Sequence, residues 1–359
     1  MSTFKAIMNH FVFFLIWMMV SFSAAAQDAA RQEGAVLWDD FEEGINDWRA
    51  DRAATDLGTL FGEGVNGSSG WGIFLNADSE GFWAARLQHT FEAPENSFET
   101  AWRVQFSAKV DLGPTAVSAR MARAAEPYTS TEDIMPYLEI PAGSEGQFFH
   151  FDYLVPLSPF LDTPEIIFLF GIIGLNNTEM VLDDLYIYPW NAVAMLTFEN
   201  ADITAVAEAV GGTLEQVMED QKEGVYSAKM VVSNGGNTRS DAELVALWTP
   251  YPDPWPRPFV GNYRISVQAK SSVAPLQVQA GIIDRTADSR SNSPTEQTIT
   301  ATNTWQKLSF LVRLSSDDAD EYGFFFDSGG QGAHEVMYDM VIVEPTDEEI
   351  TGIENWPLQ

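Results

Sequence analysis

The stretch GNYRISVQAKSS (Gly261–Ser272) decides how this 359-residue chain is read. Tyr263, Ile265, Val267 and Ala269 alternate with Arg264, Ser266, Gln268 and Lys270, the pattern of a strand with one face on a core and one toward water. AWRVQFSAKVD (Ala101–Asp111) repeats it. In both, an aromatic residue (Trp102, Tyr263) precedes an Arg (Arg103, Arg264), and an Ala-Lys pair follows five residues after that Arg (Ala108-Lys109, Ala269-Lys270).

The flanks repeat as well. Phe41-Glu42 returns as Phe198-Glu199, 157 residues on (198 − 41), and LDDLYIYP (Leu182–Pro189) is answered by YDMVIVEP (Tyr338–Pro345), with Asp183 and Asp339 156 apart (339 − 183). Landmarks some 140 residues apart keep their spacing in both halves, so the unit is a whole domain, larger than a solenoid repeat. Module 1 runs over 36–189 and module 2 over 194–345, joined by the very short linker Trp190–Val193, which implies close contact between them. Residues 346–359 form an acidic tail with little core potential.

Within the modules, short apolar or alternating runs are punctuated by Gly, Pro, Asn and Asp, as in FGEGVNGSSG (Phe61–Gly70). Expected strands include Trp71–Leu75, Trp102–Val110, Ile166–Ile173, Leu244–Trp248 and Val336–Val343. Ala205–Lys222 is the one place where a short helix, interrupted by Gly211-Gly212, is expected. Many strands without a βαβ rhythm define an all-β chain: two tandem antiparallel β-sandwich modules.

Residues 1–26 read as a signal peptide: Lys5, an apolar run FVFFLIWMMV (Phe11–Val20), then small residues to Ala26. The run is short for a membrane span, so a secreted or cell-surface protein with no membrane insertion after leader removal is expected. Cysteine is absent, which excludes a disulfide framework, a lipoprotein anchor and a thiol nucleophile. Lys and Arg number 19 against 52 Asp and Glu, a net −33, or −34 once Lys5 leaves with the leader. That field repels phosphate backbones and anionic lipid, so nucleic acid is not an expected partner, while neutral glycans and divalent cations remain. Much of the acid excess also reads as solubility in a salty medium.

FE near the start of each module, the YRISVQAK strand, NTWQKLSFLVRL (Asn303–Leu314) and the closing LDDLYIYP strand together resemble carbohydrate-binding modules of families 4, 9, 16 and 22, the CenC-like type. Those are galactose-binding-like jelly rolls found beside bacterial polysaccharide-degrading enzymes. The likeness covers nearly all of both modules, although module 1 lacks the TWQ element and reads SEGQFFHFDYLVPL (Ser144–Leu157) there. The resemblance implies a structural calcium in each module, held by Glu42 and Asp183 in module 1 and by Glu199 and Asp339 in module 2. Calcium takes hard carboxylate and carbonyl oxygens. The alternative is that these carboxylates cap turns.

Sugar binding calls for aromatic faces that meet pyranose C–H groups, with polar groups for the hydroxyls. The candidate platform is LWTPYPDPWPRPF (Leu247–Phe259), where Trp248, Tyr251 and Trp255 lie among five prolines that stiffen the loop. The competing reading packs that loop against module 1 through Trp190. Trp71 and Trp83 are the weaker choices in module 1, since their strands also suit them to the core. The four His are scattered, and there is no HExxH, no G-x-S-x-G elbow and no P-loop, so no catalytic residue is assigned and the chain is read as non-catalytic. The expected function is binding of extracellular polysaccharide. Its rivals are a structural or adhesive protein touching cell-surface proteins, and the non-catalytic part of a larger polysaccharide-degrading enzyme.

Overall fold

The structure, a computed structural model, describes residues 35–357 except 43–47, 52–54, 79–84, 93–100, 125–137, 156–164, 250–259, 315–320, 351–354 and some one- or two-residue gaps. The signal peptide expected at 1–26 therefore lies outside the described residues. Among those described, no helix is long and apolar enough to cross a membrane.

The first half builds β1 (Leu37–Asp39), β2 (Arg49–Asp51), β3 (Thr55–Leu60), β4 (Gly70–Leu75), β5 (Arg86–Glu92) and β6 (Ala101–Val110). It continues with β7 (Thr115–Arg123), β8 (Leu138–Ile140), β9 (Phe149–Val155), β10 (Glu165–Ile173) and β11 (Glu179–Trp190). The second half builds β12 (Ala194–Leu196), β13 (Ala207–Val210), β14 (Thr213–Val217), β15 (Ser227–Val232), β16 (Glu243–Trp248), β17 (Gly261–Ser271) and β18 (Leu276–Asp284). After these come β19 (Ser289–Asn292), β20 (Gln297–Ile299), β21 (Gln306–Leu314), β22 (Tyr322–Asp327), β23 (His334–Pro345) and β24 (Asn355–Pro357).

Each half is a sandwich of two antiparallel sheets. In module 1 the order β3-β4-β11-β6-β9, with β1 beside β11, faces β2-β5-β10-β7-β8. In module 2 the order β14-β15-β23-β17-β21, with β12 beside β23, faces β13-β16-β22-β18-β19-β24, with β20 beside β18. The equivalent strands take equivalent places, so the duplication seen in the sequence is a duplication of fold. Alternation does the sorting: Trp102, Val104, Phe106 and Ala108 of β6 enter one core, and Tyr263, Ile265, Val267 and Ala269 of β17 the other.

Two expectations change. Ala205–Lys222 holds β13 and β14 and, among the described residues, no α-helix, only the end of a single 3-10 turn at Ile203–Ala205; the strands belong to different sheets, and Gly211, at φ 69, makes the crossover in a conformation that a residue with a side chain rarely adopts. The acidic tail is not wholly idle, because β24 pairs with β19 as an edge strand.

The modules touch. Ala101, Leu154 and Trp190 of module 1 cluster with Met195, Met340 and Ile342 of module 2 and with Ala192 of the linker. Met340 and Ile342 flank the core residue Val341 on β23, so this contact joins the outer face of each module's β11 or β23 sheet.

Candidate functional site

Both acid pairs predicted from the sequence are brought together. The β1 corner is pinned by Asp39, which accepts from the Phe41 N–H (2.8 Å) and Trp48 Nε1 (3.0 Å) and so sets Glu42 beside the turn after β3. There Glu42 accepts from Ser69 N (2.5 Å) and Ser69 Oγ (3.1 Å), while Asp183 accepts from Val65 N (2.7 Å) and Ser68 Oγ (2.8 Å). Module 2 repeats the arrangement on the turn after β14. Glu199 accepts from Val225 N (3.0 Å) and Tyr226 N (3.1 Å), and Asp339 from Lys222 N (2.8 Å). Val65 and Lys222 are 157 apart (222 − 65), as are Ser69 and Tyr226 (226 − 69), so the clamps are equivalent. A residue at positive φ follows each buried Asp, Asp184 (φ 52) and Met340 (φ 46), where β11 and β23 shift register against β6 and β17. This bulge re-aims the chain at the clamp.

Burial raises the pKa of Asp183, the N–H of Val65 and the Ser68 hydroxyl offset it, and the Glu42 charge adds to the rise. Burial likewise drives Glu199 up to about 8, against the N–H groups of Tyr226 and Val225 and with the Asp339 charge adding. Each pair is thus short of positive charge, which a proton or a cation supplies. Among the described residues no third carboxylate or imidazole joins either pair. Two hard carboxylates among backbone groups suit calcium, whose further ligands are carbonyls or water.

The predicted platform fares differently. Trp248 is buried in the module 2 core, stacked on Tyr322 (5.4 Å) and Phe324 (5.8 Å), and Trp71 is fully buried beside Phe41 and Trp48. Neither presents a face to a ligand. The reason is parity: Leu244, Ala246 and Trp248 share one side of β16, and Trp71, Ile73 and Leu75 one side of β4. Tyr251, Trp255 and Trp83 lie outside the described residues.

The structure offers another face. On the outer face of module 1 lie Arg103, Gln105 and Ser107 of β6, His150 and Asp152 of β9, and Tyr186, Tyr188 and Trp190 of β11, with Ser107, Asp152 and Tyr186 buried beneath their neighbours. Asp152, almost wholly buried, takes Arg103 Nε (2.7 Å) and Nη2 and Gln105 Nε2 (2.8 Å); Gln105 Oε1 accepts from the Tyr188 hydroxyl (2.9 Å). The Arg103 guanidinium lies over the Trp190 ring at 4.2 Å. Ser107 Oγ and His150 Nδ1 pair across the strands at 2.6 Å. Such a network fixes rotamers that would otherwise wander. Below it opens a cleft of about 220 Å³, lined by Gln105, Phe106, Ser107, His150, Phe151, Asp184 and Tyr186 from module 1 and by Lys222 from module 2. The upper part of the face is covered by module 2. There a narrower recess of about 80 Å³ lies between Arg103 and Trp190 on one side and Gln268, Lys307, Met340 and Glu344 on the other.

Sequence reasoning missed this cleft, although the signal was present in the polar half of the alternation that revealed the strand. Arg103, Gln105 and Ser107 are outward because Trp102, Val104 and Phe106 are inward.

No protein-family model matches the sequence, and no curated protein does. Solved structures similar to the chain include the tandem CBM22-1–CBM22-2 domain of Paenibacillus barcinonensis Xyn10C, at 12% identity and TM-score 0.34, covering 87% of this chain and 98% of that one. The module TmCBM61, solved with β-1,4-galactotriose, is 13% identical at TM-score 0.32, covering 44% of this chain and 99% of that one. A CBM4 structure is 16% identical at TM-score 0.31, covering 42% and 99%. Likeness at this level transfers no residue roles, and the functional reading rests on this chain's own side chains.

Proposed function

We propose that the chain is a secreted, non-catalytic carbohydrate-binding protein that holds an extracellular polysaccharide in the cleft on the outer face of module 1, with calcium as the structural ion of both acid pairs. The observation that carries it is the composition of the cleft. Gln105, His150 and Asp184 keep donors and acceptors open to solvent around a floor formed by the buried Phe106, Phe151 and Tyr186, and the Ser107 hydroxyl holds His150 in place. A sugar ring needs both kinds of surface. Covering about 100 Å² of apolar surface gives about 2.5 kcal/mol, so after the costs of association a single such site binds at about micromolar to millimolar Kd.

Calcium is supported by the two clamps, in each of which two carboxylates sit together on backbone N–H groups of one turn. Glu42 and Asp183, or Glu199 and Asp339, would hold the ion, which tightens the turn they share and does not take part in ligand chemistry.

The test is affinity electrophoresis of the protein through gels containing xylan, galactan or mixed-linkage β-glucan. The parent is retarded in at least one, and His150→Ala and Asp184→Ala migrate there as in a plain gel. Unchanged retardation of both variants overturns the assignment of the cleft.

A further inference from the structure

The duplicated clamp does a second job in module 2. The turn held by Glu199 and Asp339 lies on module 1 through its residues 224–226. Its Gly224 N–H donates to the His150 carbonyl as an isolated antiparallel bridge, extending the β9 edge across the module boundary. Val225 is fully buried within the core cluster of module 1, and Met218 and Tyr226 pack against the same cluster. Gly224, at φ 65, has no room for a side chain, since a Cβ there would sit 2.1 Å from Glu199 Oε1. The equivalent turn of module 1 is held in the same way by Glu42 and Asp183, yet its Gly62, Glu63, Asn66 and Gly67 are exposed.

The consequence falls on the cleft. Lys222 opens the docked segment; its N–H is fixed by Asp339, and the residue, exposed to solvent, lines the cleft together with Gln105, Ser107, His150 and Tyr186 of module 1. Its ammonium makes no ion pair with a described residue. Asp184 lines the same space.

We propose that module 2 completes the glycan site of module 1: the docked residues Gly224, Val225 and Tyr226 are an intermodule latch, clamped by Glu199 and Asp339, that delivers Lys222 as a specificity-determining contact for an uncharged polysaccharide. This deepens the carbohydrate reading and rests on it. An ammonium donor and a carboxylate acceptor in one small cleft match the hydroxyls of a neutral sugar, which both donate and accept. A polyuronate meets Asp184 and the net −33 of the chain, and is repelled.

The experiment uses the full chain in gels of xylan, galactan, mixed-linkage β-glucan and polygalacturonate. Lys222→Ala keeps the backbone N–H that Asp339 holds. It is expected to fold and melt as the parent does and to lose at least fivefold in affinity for the neutral polymer that retards the parent. Gly224→Ala drives a methyl into Glu199 and is expected to lose affinity likewise, with faster hydrogen exchange at residue 224 and a larger radius of gyration as the modules separate. Should Gly224→Ala fail to fold, Lys222→Ala decides alone.

Parent-like retardation of Lys222→Ala, while His150→Ala and Asp184→Ala lose it, overturns the composite site and leaves the carbohydrate reading standing. Stronger retardation by polygalacturonate than by any neutral polymer overturns the ligand class. No retardation of the parent by any of the four overturns both proposals.

Discussion

Glu199 makes the acid clamp measurable through pH. Its carboxyl ionises near 8 in the folded chain against 4.5 for an unhindered Glu, because it is buried and sits beside Asp339. A folded-state pKa above the unfolded one means that the native state keeps its proton longer. The associated stability is therefore full below about pH 4.5 and is lost as pH rises through about 8. The difference of 3.5 (8 − 4.5), at 1.36 kcal/mol for each pKa unit, sets a ceiling of roughly 5 kcal/mol. Glu199 keeps partial exposure as a residue, and screening by water brings the figure to about 2–3 kcal/mol, or a fall in Tm of about 5–10 °C for a module of this size. The assay is calorimetric unfolding between pH 5 and pH 8 in chelator, repeated with millimolar calcium and with Glu199→Gln. The module 2 transition is expected to fall across that range in chelator, and to fall much less in calcium or in the variant. Asp327, pushed up to about 8 by burial and its hydrogen bond with Glu243, contributes the same sign, so the difference between parent and Glu199→Gln isolates the clamp. Identical pH slopes for parent and variant would refute the reasoning about the buried pair. Calcium-independent melting at pH 8 would refute the ion.

Other substitutions separate packing from binding. Trp248→Ala and Trp71→Ala each remove a buried ring and are expected to cost about 3–5 kcal/mol in chemical denaturation, in contrast to the small cost expected of an exposed sugar platform. Arg103→Ala strands the buried Asp152 carboxylate and releases Gln105; a loss of about 3 kcal/mol, with weaker glycan retardation, is the expected outcome. Arg290 bridges Glu243 and Asp327, both at 2.5 Å, while lying over the Phe325 ring at 3.5 Å. Its replacement by Ala is expected to destabilise module 2 by about 2–4 kcal/mol at pH 8 and by less at pH 5, where Asp327, its pKa raised by burial, is protonated; denaturation at the two pH values checks it.

The fold was legible because it is local and written twice. Alternation in AWRVQFSAKV and YRISVQAK sets strand, face and core at once, and the constant spacing from Phe41-Glu42 to Asp183 carries the closure of each sandwich. The acid pairs were legible for the same reason, since β1 and β11 are neighbours in one sheet, and β12 and β23 in the other. Within the expected platform Trp248 goes to the core because its parity with Leu244 and Ala246 places it inside, whatever the prolines after it suggest; Tyr251 and Trp255 lie outside the described residues. The outward polar residues of the cleft were written in the alternation of β6, but the intermodule part was not readable: it pairs Gly224 with His150 and sets Lys222 on the same cleft as Gln105, residues of different modules that no periodicity relates. The apparent helix at 205–222 failed because Gly211-Gly212 separates two short strands of opposite sheets.

The most direct measurement is a crystal structure of the protein with an oligosaccharide cut from whichever polymer retards it. The account predicts a sugar in the cleft, within hydrogen-bond reach of His150, Asp184 and Lys222. A sugar bound on the segment 250–259 or elsewhere, with the cleft holding only water, would contradict it.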